Sequence, residues 1–192
     1  MKKLILLMAA VLLLTAAPVC ASPLENFSSG RLAVDLNWKP YSFSGGNAGE
    51  FSVTAGLGGE WAIAFRQINL DTDGYTHDYR AHNREINLIR RLGDGLQLYV
   101  GHSRTGGSAG INVKNVLQAG VIVARKLGDR FTLYTILGGG KNVANVEFGL
   151  SYRLNPHLEL TSTYRHLTVE RIGEGASRHN YRGFGLGLTW KI

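Results

Sequence analysis

A single cysteine in 192 residues excludes a disulfide-stapled exported scaffold. Four prolines exclude a Pro/Gly-rich linker. Only 18% of the residues are charged, with a modest excess of bases, which is not the composition of a disordered chain. After the N-terminus no apolar run is long enough for a membrane-crossing helix. No stretch shows a convincing helical period either. Mean hydropathy is −0.04, which argues against a bundle of membrane helices. It leaves a membrane β-barrel open, because alternating faces average to neutrality. What the chain has in excess is glycine, 25 residues, nearly double the typical ~7%.

The N-terminus reads as an address. Lys2 and Lys3 precede an apolar run from Leu4 to Ala17, and Val19-Cys20-Ala21 fits the small-residue rule for signal cleavage. Residues 1–21 are therefore expected to be a removed signal peptide, with Ser22 opening the mature domain 22–192. The run is short for an uncleaved anchor. Val19 before Cys20 is too large for a lipidation site. Both methionines and the only cysteine leave with this segment, and the loss of Lys2 and Lys3 takes the formal charge from +7 to +5. The mature protein is thus exported and free of sulfur, and membrane insertion is one source of stability open to it.

Period-two alternation, the signal of a half-buried strand, recurs ten times. Clear examples are Leu32-Val34-Leu36-Trp38, Phe51-Val53-Ala55-Leu57, Trp61-Ile63-Phe65, Leu96-Leu98-Val100, Val146-Phe148-Leu150-Tyr152 and Phe184-Leu186-Leu188-Trp190-Ile192. Segments 83–91 and 130–138 are weaker. Each segment has roughly 8–13 residues, near the ~9–11 that cross a bilayer at a tilt. The connections alternate. Gly58-Gly59, Leu92-Gly93-Asp94-Gly95, Leu127-Gly128-Asp129-Arg130 and Leu154-Asn155-Pro156-His157 read as tight turns. Residues 40–49, 69–83, 103–112 and 167–180 read as longer polar loops, and Gly138-Gly139-Gly140-Lys141-Asn142 as a short hairpin tip. Three turns share a pattern, Arg91-Leu92-Gly93-Asp94, Lys126-Leu127-Gly128-Asp129 and Arg153-Leu154-Asn155-Pro156.

This pattern predicts an all-β fold, an up-and-down antiparallel transmembrane barrel of about ten strands, or eight if the two weak segments do not span. An even count puts both termini at one end, expected to be the periplasmic one. The last strand, Phe184 to Ile192 with Trp190 near its end, resembles the C-terminal strand by which the insertion machinery recognises small bacterial outer-membrane β-barrels of the porin-like and opacity-type class. That class more often ends in Phe, and Ile192 departs from it. The resemblance implies residence in the bacterial outer membrane, with lipid and lipopolysaccharide and the barrel-insertion machinery as partners. The rival fold is a soluble periplasmic lipid-binding β-barrel, with its apolar face inward. The sparse charges and many small residues of the polar face favour a narrow lumen instead. Aromatics also fall into two belts: Trp38, Phe51, Phe65, Tyr164 and Phe184 toward the loops, and Trp61, Phe131, Tyr152 and Trp190 toward the turns.

With the apolar face in lipid, the inward set includes Asp35, Asn37, Arg66, Glu85, Asn87, Gln97, Tyr99, Glu147, Arg153, Glu159, Thr161 and Arg165. Acids and bases both occur, and pairing across the interior is expected because a lone buried charge is costly. The function expected is structural or surface-exposed, or else that of a narrow pore. Asp71-Thr72-Asp73-Gly74 with Asp78 matches only part of a calcium loop. Gly138-Gly139-Gly140-Lys141 lacks the spacing of a phosphate loop. The six histidines show no ligand spacing, so neither metal nor cofactor is expected. No basic-aromatic stripe points to nucleic acid. One enzymatic alternative exists. Tyr164-Arg165-His166-Leu167-Thr168, followed by Glu170 and Glu174, resembles the His-x-Ser segment of the lipid A deacylases, which are small outer-membrane barrels. That resemblance makes His166 the base, Thr168 the nucleophile and Glu174 (or Glu170) the orienting acid. Thr168 stands where the family has Ser, and Val169 where it has Asn.

Overall fold

A computed structural model describes residues 24, 26–42, 47–73, 78–107, 114–170 and 178–192. The expected signal segment, Glu174, Gly74 and His77 lie outside them. Ten antiparallel strands close into a barrel: β1 (Leu32–Ser42), β2 (Asn47–Gly58), β3 (Trp61–Asp73), β4 (Asp78–Gly93), β5 (Leu96–Gly107), β6 (Lys114–Leu127), β7 (Phe131–Gly140), β8 (Val143–Asn155), β9 (Leu158–Glu170) and β10 (Arg178–Lys191). Each strand pairs with its sequence neighbours, and β1 closes on β10 through Val34–Trp190 and Leu36–Leu188. Leu32 and Ile192 complete the seam with two backbone bonds, of 3.1 and 2.9 Å.

The weak segment 83–91 lies within β4, and 130–138 falls on β7 apart from Arg130, which belongs to the preceding turn, so the eight-stranded alternative is corrected to ten. The strands also run past the expected loop boundaries. β3 and β4, for example, stay paired out to Asp73–Asp78. Ladder hydrogen bonds do not depend on the side chains, so pairing continues where alternation fades.

The apolar face points outward. Leu36, Trp38, Leu117, Leu186 and Trp190 are each more than half exposed, while Asp35, Glu85, Glu147, Glu159 and Arg165 are buried in the lumen. This inverts the order of a soluble lipid-binding barrel and overturns that alternative. In water such a surface would be a contiguous apolar patch far beyond what soluble monomers carry. In hydrocarbon it has the right solvent, and closure leaves no unpaired sheet edge. Ring pairs Phe51–Phe65 (6.5 Å), Tyr164–Phe184 (4.9 Å) and Phe131–Tyr152 (4.9 Å) lie on this wall. The first two are at the loop end and the third at the turn end, as interfacial girdles require.

The turn end carries irregularities at Gly56/Gly58, Arg91/Gly93 and Arg153/Asn155. Two of the three repeated tetrapeptides are therefore bulged hairpins. The triple glycine is not a hairpin tip. Gly138–Gly140 close strand β7, and the turn is Lys141-Asn142, with Asn142 at a positive φ of 70° that Asn tolerates better than most residues. Gly138 is glycine for a packing reason: an added Cβ would lie 1.8 Å from the Tyr99 hydroxyl. Gly149 makes the same room for Tyr134, whose ring would lie 2.0 Å from such a Cβ.

The chain entering β1 folds into the turn-end mouth. Leu24 and Phe27 are almost fully buried and pack with Ala33, Ala62, Ile89, Tyr99 and Ile122. The Phe27 carbonyl accepts the Gly58 N–H at 2.9 Å. Gly56 permits the approach, since a Cβ there would lie 2.4 Å from the Ser28 carbonyl. At the loop end a second apolar cluster, Ala48, Val116, Val143, Leu167 and Tyr181, fills the lumen.

Candidate functional site: the lumen and the loop-side outer wall

Between the two apolar clusters lies an ionic layer. Period two sends Arg165 of β9 inward, where its side chain has no exposure. Its guanidinium meets Glu50 at 3.3 Å, Glu85 at 3.3 Å and Glu147 at 3.9 Å, and its Nε–H donates to the Asn145 side-chain Oδ1 at 2.7 Å. Arg66 of β3 faces it and bridges Glu50 at 3.2 Å and Glu147 at 3.3 Å. The Tyr134 hydroxyl donates to Glu147 at 3.4 Å. Asp35 accepts from Thr189 at 2.5 Å and from Ser52 at 2.7 Å. Asn37 accepts from Thr161 at 3.2 Å, and Asn87 from Gln118 at 2.8 Å.

The inward set therefore divides. Arg66, Glu85, Glu147 and Arg165 meet in one layer. Asp35, Asn37 and Thr161 border it through hydroxyls and amides. Glu159 sits nearer the turn end with Lys191 at 2.8 Å and Arg153 at 3.8 Å. Gln97 reaches the Leu24 carbonyl at 3.5 Å, and Tyr99 packs in the turn-end apolar cluster. Glu50 is a member that the sequence reading missed. The outward parity of Phe51, Val53 and Ala55 could have found it.

What space remains inside is small. One cavity of about 30 Å³ lies among Thr54, Arg66, Glu85, Asn87, Tyr99 and Asn145. Another of about 10 Å³ lies among Asp35, Glu50, Tyr134 and Glu147. Each holds about one water at most. A larger open space of about 760 Å³ lies at the turn-end mouth, beside Arg31, Arg130, Arg153 and Lys191. Among the described residues no three His, Cys, Asp or Glu side chains are placed to hold a metal ion.

On the outer wall at the loop end, His166 of β9 and Arg182 of β10 are register partners. The Arg182 Nε–H donates to His166 Nε2 at 3.3 Å. Thr168 Oγ1 lies 3.3 Å from the same Nε2. Thr168 is only 5% exposed, and Glu170 contributes no described side chain. Arg165, adjacent in sequence, belongs to the lumen and not to this wall. The C-terminal row Phe184, Leu186, Leu188, Trp190 and Ile192 stands outward, each about half exposed, beside β1.

A closed, edgeless antiparallel sheet with an apolar outside and a charged inside is a transmembrane β-barrel. No protein-family model and no curated protein matches the chain. Solved structures with a similar fold include Neisserial surface protein A, with 13% identity and a TM-score of 0.46, covering 84% of this chain and 96% of that one. They also include a NanC porin, with 14% identity and a TM-score of 0.47, covering 84% and 100%. The Yersinia pestis outer membrane protein Ail has 9% identity and a TM-score of 0.46, covering 85% and 100%.

Proposed function

We propose that the chain is a bacterial outer-membrane β-barrel with a closed lumen and a structural, surface-presenting role, its turns and termini facing the periplasm and its loops facing outward. The filled lumen carries this reading. Arg66 and Arg165 with Glu50, Glu85 and Glu147 cross the middle of the barrel, and an apolar cluster stands on either side of them. Ten strands enclose too little area for a wide aqueous path, which in porins takes about sixteen. A solute entering this lumen would have to separate buried ion pairs, at a cost of several kcal/mol per uncompensated charge.

Two measurements test the reading. Unheated protein is expected to migrate on gels as a compact species that heating converts, and to fractionate with outer membranes. Periplasmic fractionation would contradict it. In planar bilayers the reconstituted chain is expected to pass no steady unit current; regular unit currents would replace the closed barrel with a narrow pore.

A second reading, a lipid A hydrolase, is favoured by one contact, the 3.3 Å between Thr168 Oγ1 and His166 Nε2. It is the weaker of the two, because Arg182 occupies the same nitrogen and Thr168 is covered. Release of fatty acid from lipid A by the wild type but not by His166→Ala would establish it.

A further inference from the structure

The outer wall changes character abruptly on β3–β5. Cross-strand rows can be followed outward toward the loops. Phe65, Ile86 and His102 form one row, Gln67, Arg84 and Arg104 the next, and Asn69, His82 and Gly106 the one beyond. Their lumen-facing neighbours Asn83, Glu85, Ser103 and Thr105 are buried, and Arg84 and Arg104 are exposed. Two exposed arginines thus occupy paired register positions one row above Phe65, Ile86 and His102.

Directly opposed like charges destabilise a strand pair. Four other arginines of the outer surface have partners close by. Arg90 lies over the Trp61 ring at 5.3 Å, Arg91 bridges Glu60, Arg130 donates to the Tyr152 hydroxyl, and Arg182 donates to His166. Among the described residues, neither Arg84 nor Arg104 pairs with a carboxylate. The Arg84 Nε–H donates to the Gln67 side-chain amide oxygen at 3.2 Å, and among the described residues its terminal nitrogens meet no carboxylate. The next acidic position in the register, Asp71, stands opposite Arg80, two rows farther from the apolar wall. Among the described residues, no carboxylate balances the two arginines at this row.

We propose that Arg84 and Arg104 clamp a lipid phosphate on the outer wall, at the loop-side edge of the apolar band. Guanidinium forks match phosphate oxygens in pairs. A phosphate monoester carries about −1.5 to −2 charges at neutral pH, so it balances two arginines better than a phosphodiester does. The depth selects a headgroup, since Phe65 and Ile86 one row below lie where acyl chains begin. The ligand class is the phosphorylated saccharide headgroup of lipid A. This rests on the membrane reading above.

The test uses the full chain folded in detergent micelles, with native mass spectrometry or tryptophan fluorescence reporting binding. The probes are diphosphoryl lipid A, its dephosphorylated form, phosphatidylglycerol and inorganic phosphate. Lipid A is expected to bind, and the double variant Arg84→Gln/Arg104→Gln to bind about tenfold more weakly or worse, with a shallower salt dependence. Arg90→Gln, at the other end of the wall, is expected to leave the affinity within about twofold by the same screening argument. Equal affinity of wild type and double variant overturns the clamp. Phosphatidylglycerol or dephosphorylated lipid binding as tightly as lipid A overturns the monoester assignment. Inorganic phosphate saturating the site at the same concentration overturns the lipid source. Insertion into vesicles separates the two levels. A chain that stays outside them overturns the membrane reading and the clamp together, whereas an inserted chain with an unaffected variant overturns the clamp alone.

Discussion

On β4, Glu85, Asn87 and Ile89 face the lumen while Ile86 and Leu88 face out, so one strand meets two opposite solvents at alternate residues. Inside, charge is matched by specific partners. Arg165 is held by three carboxylates and an amide. Outside, Leu117 is 78% exposed and needs no protein partner, because hydrocarbon supplies one. The lumen is therefore specified by particular pairs and the outer wall only by average character. Errors should be costly inside at a few named positions, and costly outside wherever a charge enters the band.

The largest expected effect follows from Arg165→Met. It leaves Glu50, Glu85 and Glu147 facing one another with only Arg66, and breaking such a buried network costs about 3–5 kcal/mol. The urea midpoint for unfolding in vesicles should fall accordingly. Adding Glu85→Gln should recover part of the loss. If the double variant is no more stable than the single one, charge pairing is not what Arg165 provides.

Next comes the outer wall. Leu88 stands opposite Val100 and Ile63, in the middle of the apolar face. Leu88→Arg should cost about 2–4 kcal/mol in a bilayer, and Leu88→Met less than about 1.5 kcal/mol. A comparable penalty for both would mean that shape, and not solvent, governs this wall.

The smallest effect lies outside both walls. Arg91, near the turn end of β4, donates to both oxygens of Glu60 in the turn between β2 and β3, one bond measuring 2.9 Å. These bonds hold the Glu60 carboxyl below its ordinary value of 4.5. The folded chain therefore takes up this proton less readily than the unfolded one. The pair stabilises above that value, and its contribution is lost as pH falls below it. Glu60→Gln should lower the midpoint slightly at pH 7, leave it unchanged in strong acid, and so flatten the acid limb. An unaltered slope would remove the pair from the stability of this turn.

Much of this was legible in the residues, because a barrel is written in period two. Phe184 to Ile192 fixes its own orientation, and Asp35, Arg66, Glu147 and Arg165 follow by parity once the apolar face is turned outward. What escaped depended on distant partners. Glu50 sits at a strand edge where Gly49 and Ser52 blur the alternation, and its role appears only when Arg165, 115 positions away, is brought beside it. Gly138 reads as turn chemistry until Tyr99 is seen to need its space. The plug of Leu24 and Phe27 could not be read from a segment with no period at all. The strand ends above the apolar band were hidden for a different reason, since backbone pairing continues there without any pattern in the side chains.

The seam has a consequence of its own. Leu32 and Ile192 exchange two backbone bonds, so the first and last ladder positions of the chain are neighbours. Every strand then has the same two-neighbour surroundings, and the sheet is topologically a ring. Which strand counts as first is an accident of where the ring is cut. A circular permutant that joins the residues flanking β1 and β10 and opens the Lys141-Asn142 turn would keep every ladder, yet move both termini to the opposite end of the barrel.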